Sequence, residues 1–136
     1  MPLQRKVLLL EVLLALAVAA FRVKLMSFRK LALQLGRQGC QASQQLSAAQ
    51  GKMALDTEWM MASLCRRLPI QPTCLMQAAA ARSVLSRRGV PSTVFIGVAP
   101  PEKGRRVNAH AWLQCGERIV TGKAEAQKFQ PMVWFG

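Results

Sequence analysis

Tyrosine is absent from this 136-residue chain, histidine occurs once, and 6 acidic residues stand against 19 basic ones. Each scarcity excludes something. With aromatics at 6% and no tyrosine, the formal charge of +13 comes without the stacking side chains that line nucleic-acid grooves. No nucleic-acid recognition motif is present, so nucleic acid is not an expected partner. The four cysteines include no Cys-x-x-Cys pair, which argues against a metal knuckle or a disulfide framework. No metal or cofactor is expected, and free thiols fit a reducing, cytoplasmic setting. Any imidazole chemistry must use His110.

Long hydrophobic runs are also missing. The longest, Val7 to Phe21, would cover about 22 Å as a helix against a hydrocarbon core of about 30 Å, with Glu11 inside it. Ala17 to Ala20 loosely mimics a signal cleavage site, but catalysis by a free thiol does not suit export. The run is expected to be a helix buried against the rest of the domain.

A chain with 51% hydrophobic and 18% charged residues folds rather than staying disordered. Residues 1–52 read as a helical N-terminal region: the Leu-rich helix, a basic amphipathic helix from Phe21 to Leu35, and a Gln-rich linker over 38–50. Residues 53–136 read as the core, opening with a helix over 53–67. The excess positive charge suits an anionic membrane surface, on which the Arg22 to Arg37 helix would lie, or an acidic peptide.

The most informative stretch is 72–89. Pro72 cannot continue a helix from upstream, Thr73 is an N-cap, apolar residues recur at helical spacing, and Gly89 ends the run. Cys74 therefore sits in the first helical turn, where unpaired N–H groups and the helix dipole favour an anion. The dipole supplies about 0.3–1 kcal/mol, less than the roughly 1.4 kcal/mol of one pKa unit, so a base must help. His110 is the candidate, 36 residues on (110 − 74). It opens the run 109–115, which pairs through a turn at Gly116-Glu117 with Arg118 to Thr121 as a hairpin, while 91–99 reads as a buried strand. A cysteine at a helix N-terminus facing a histidine on a strand is the layout of papain-like and transglutaminase-like enzymes. The plain alternative is that a cysteine in an apolar helix is only a small hydrophobe, and Cys40, Cys65 and Cys115 are read that way.

From Trp59 onward the chain resembles the leader peptidase of lasso peptide biosynthesis, the B protein, a transglutaminase-like enzyme. The matching residues are Trp59, Arg66-Arg67-Leu68-Pro69, Pro72-Thr73-Cys74-Leu75, Arg87-Arg88-Gly89-Val90-Pro91, Ile96-Gly97-Val98, Ala109-His110-Ala111-Trp112 and the ending Phe129 to Gly136. The resemblance implies an α+β fold: a helical N-terminal half, then a core with the cysteine helix packed on a small antiparallel sheet. It implies a cysteine peptidase in which His110 takes the Cys74 proton and the thiolate attacks the scissile amide. Members often carry an aspartate about twelve residues past the histidine, where this chain has Gly122. Glu125 is the substitute candidate; failing it, a backbone carbonyl or the Asn108 amide must orient His110. The implied substrate is a lasso precursor, whose leader is presented by a separate winged-helix leader-recognition protein, with an ATP-dependent cyclase closing the ring. Two alternatives stay open: a transglutaminase proper, and a shell that has lost its chemistry and binds peptide or membrane.

Overall fold

The structure, a computed structural model, describes residues 2–43, 45–99, 108–126 and 129–136. Helices come first: α1 (Leu3–Leu25), α2 (Phe28–Leu35), α3 (Ala48–Arg67) and α4 (Cys74–Arg87). A four-stranded antiparallel sheet follows, built from β1 (Thr93–Ala99), β2 (Asn108–Cys115), β3 (Arg118–Thr121) and β4 (Gln130–Phe135) in the order β3-β2-β1-β4, with the short helix α5 (Lys123–Ala126) before β4. The fold is α+β, with four helices leading into a small antiparallel sheet, as the sequence predicts.

Local chemistry sets most of the boundaries. The Ser47 hydroxyl and the Gln50 side chain form a reciprocal capping box that starts α3 at Ala48, earlier than apolar periodicity suggests. The expected single helix from Phe21 to Leu35 is instead broken at Met26, which is extended, and Ser27 caps a new helix by accepting from the Lys30 N–H. A β-hydroxyl at that position competes with continued helix and wins. Gly116, at φ 60, takes the first position of the two-residue β2–β3 turn, where only a glycine adopts positive φ cheaply, as a type II′ hairpin needs.

α4 is the centre of the core. Its Ala78, Ala80, Ala81, Val84 and Leu85 are buried between α1 on one side and the Ala111, Leu113 and Cys115 face of β2 on the other. Small side chains let helix and sheet approach closely. The opposite face of the sheet holds a second, smaller cluster of Trp112, Ala126 and Phe129, flanked by Phe95 and Ile119.

β4 takes the sheet edge beside β1. Pro131 sits at a register shift opposite Gly97, on an edge strand and at an irregularity, where proline is tolerated. The start of the Gln-rich linker then covers that edge: Arg37 exchanges backbone hydrogen bonds with Gly136, and the Gly39 N–H donates to Trp134 O at 2.8 Å. Arg82, from α4, donates to the Ser92 carbonyl at 2.6 Å and to the Phe135 carbonyl at 3.5 Å, joining helix, β1 and β4.

Candidate active site

Cys74 is the first residue of α4, and Thr73 caps it by accepting from the Met76 N–H at 3.3 Å. The entry to the helix is fixed by two glutamines. Gln71 Nε2 donates to Cys65 O at 2.7 Å, and Gln77 Nε2 donates to Pro72 O at 3.0 Å. The thiol is half-buried, and its sulfur accepts the Ala111 N–H at 3.4 Å. Because that nitrogen belongs to the peptide bond joining His110 to Ala111, the sulfur lies against the backbone of the histidine.

The sheet leaves that N–H free for sulfur. β3 stops at Thr121, paired with Leu113, so β2 from Asn108 to Trp112 has β1 on one side and no strand on the other among the described residues. Alternation then puts Ala111 on the α4 face and His110 on the opposite face with Trp112. The Cys74 sulfur thus meets β2 at its open edge, at the peptide that follows His110. A full-length β3 would close that edge.

The His110 ring is held on three sides. It stacks along Trp112 with ring centroids 6.2 Å apart, and Phe129 lies 5.2 Å away at a tilt. Its Nε2 lies 3.3 Å from the Gly122 carbonyl oxygen. A carbonyl oxygen only accepts, so this hydrogen bond requires Nε2–H and leaves Nδ1 as the ring atom able to take a proton.

Gly122 is well suited to that contact. At φ 76 it turns the chain off the end of β3, and a Cβ there would stand 2.8 Å from His110 Nε2, 2.9 Å from Ala111 O and 3.0 Å from Trp112 Cβ. The ring occupies the space that any side chain at 122 would need. A backbone carbonyl is one of the groups that the sequence leaves open for orienting His110, and that this contact comes from Gly122 depends on a positive φ that spacing does not reveal. Phe129 was not anticipated as a wall of the site. Glu125 lies in α5, but its side chain, like that of Asn108, falls outside the described residues. Glu117 is exposed in the hairpin turn.

The other thiols have different surroundings. Burial pushes both Cys65 and Cys115 above the ordinary thiol value, and the Cys115 thiol donates to Pro91 O at 3.2 Å. Cys40 is exposed on the linker.

Comparison with known families finds a match to the transglutaminase-like superfamily over residues 13–134. The chain belongs to that superfamily. Neither the curated proteins nor the solved structures gave a match. The transglutaminase-like match runs through the helices as well as the sheet, so the helix bearing Cys74 and the strand bearing His110 both lie inside it. This superfamily includes cysteine peptidases, and its fold is compatible with that chemistry.

Proposed function

We propose that the protein is a cysteine peptidase that removes the leader from a lasso peptide precursor. The observation that supports this most is the Cys74 sulfur on the Ala111 N–H, beside a histidine whose Nε2–H is held by the Gly122 carbonyl.

In this reading His110 Nδ1 takes the thiol proton as sulfur attacks the scissile carbonyl carbon. The oxyanion forms next to the Cys74 backbone N–H, one of the unpaired donors of the first turn of α4. Collapse breaks the C–N bond, and imidazolium gives its proton to the leaving amine. Water then attacks the thioester with His110 as base, which releases the leader's new carboxyl end and frees the thiol. The Ala111 N–H is a hydrogen-bond donor to the sulfur when it carries negative charge, on attack and again as the thioester breaks.

The substrate class rests on the lasso B protein resemblance. The same resemblance implies that a separate winged-helix protein captures the leader and that an ATP-dependent cyclase closes the ring. Incubating a lasso precursor with the protein, with and without the leader-binding protein, tests this by mass spectrometry. Leader loss is expected from wild type with the partner and not from Cys74→Ala. Equal cleavage by the alanine variant would remove Cys74 from the mechanism.

One observation favours a second reading, a binding module with little chemistry. The group facing His110 Nε2 is a neutral carbonyl, which stabilises imidazolium less than a carboxylate does. Under that reading wild type binds the leader and leaves it intact.

A further inference from the structure

α1 is apolar on two opposite faces. Leu8, Val12, Ala15, Leu16 and Ala19 are buried in the core, where α1 packs on α4. On the other side Leu3, Leu10, Leu14, Val18, Phe21 and Leu25 are between 43% and 75% exposed. At 100° per residue these six fall within an arc of about 80°, in a stripe about 33 Å long. Single exposed hydrophobics need no explanation, but a continuous stripe marks a binding surface.

Charge indicates what covers it. Exposed Lys6 and Lys24 flank one side of the stripe and exposed Arg22 the other; α2 then adds exposed Arg29 and Lys30 beside the exposed Leu33. Glu11 is the single acidic residue before Asp56, and it is taken up by Arg88, whose Nε donates to it at 2.8 Å. Pairing two such stripes would bring like charges together on two chains of +13 each. Nor can α1 stand upright in a bilayer, because its other face is committed to α4; among the described residues no helix is long and apolar enough to cross a membrane. An anionic bilayer surface satisfies both the apolar stripe and its basic margins.

We propose that α1 lies flat on an anionic lipid surface, with Leu10, Leu14, Val18 and Phe21 among the acyl chains and Lys6, Arg22, Lys24 and Arg29 at the headgroup phosphates. α2 turns Leu31 and Leu35 into the protein, so α1 provides the apolar face of this contact. Lipid contact through this stripe requires neither Cys74 nor His110.

Co-sedimentation of the full chain with vesicles tests the proposal. The vesicles are phosphatidylcholine alone, or phosphatidylcholine with about one quarter phosphatidylglycerol. The expected result is at least fivefold more protein pelleted with the anionic vesicles. The double variant Leu10→Glu/Leu14→Glu should lose that binding with an unchanged circular dichroism spectrum, and Cys74→Ala should bind as wild type does. Equal sedimentation with both vesicle types, or binding that survives the double variant, would overturn the proposal. So would a wild-type dimer in light scattering that the double variant disperses without any vesicle binding, which would give the stripe to a second copy.

Discussion

The Gly122 carbonyl oxygen stands 3.3 Å from His110 Nε2, on a residue at φ 76 whose missing side chain leaves room for the imidazole ring. The resemblance to the lasso B proteins implies an aspartate at this position, with a carboxylate to hold the ring; here the Gly122 backbone carbonyl faces it. A neutral third group is compatible with thiol chemistry, since Cys-His-Asn sites also work without a charged partner.

Gly122→Ala should therefore injure the site beyond the strain of a non-glycine residue at positive φ, about 1–2 kcal/mol. Its Cβ displaces the ring, and a misplacement of about 1 Å costs roughly a hundredfold in turnover. Steady-state cleavage rates beside thermal melts separate the two effects. Gly122→Asp should be no better than Gly122→Ala, because the same Cβ meets the same ring. Turnover above wild type in Gly122→Asp would show that the carbonyl does not set the histidine.

Arg82 should matter for stability. Burial lowers the pKa of its guanidinium, which nonetheless donates to the Ser92 and Phe135 carbonyls. Arg82→Met leaves those carbonyls without this donor, at a cost of about 2–3 kcal/mol, or roughly 6–15 °C in Tm. Arg82→Lys should recover little, because one ammonium cannot reproduce the planar fork. A melt unchanged by Arg82→Met would contradict this role.

Stability should also fall in alkali. Burial raises the Cys115 thiol above its ordinary value of 9.0, so the folded chain keeps a proton that the unfolded chain releases. The contribution is intact below pH 9.0 and is lost as pH rises from there towards the folded value. Cys65 acts in the same direction for the same reason. Melts from neutral pH upward should show the decline starting near that value, with a shallower slope in Cys115→Ala. The slope is the readout, since the substitution also leaves a small cavity.

The fold and the site were legible to different depths in the sequence. Thr73, Cys74 and Gly89 define α4 because capping and termination are local, and Gly116-Glu117 marks its hairpin for the same reason. The break at Ser27 was missed because the charge and apolar pattern continues through it, although a hydroxyl cap ends the regularity. β4 was missed as a strand because Pro131 interrupts its pattern; its place beside β1 depends on a register shift made in three dimensions. Likewise the meeting of Cys74 with the Ala111 N–H depends on where β3 stops, which spacing along the chain does not encode.

The most direct test of the central claim is the rate at which iodoacetamide labels Cys74, followed by peptide mapping between mildly acidic and mildly alkaline pH. Cys40, exposed on the linker, is the internal standard, and Cys65 and Cys115 should label slowest because burial holds both as thiols. The account requires Cys74 to label at least tenfold faster than Cys40 near neutral pH, and His110→Ala to bring it down to the Cys40 rate. Cys74 labelling no faster than Cys40 in the wild type, or unaffected by His110→Ala, would contradict the pairing of this thiol with this histidine.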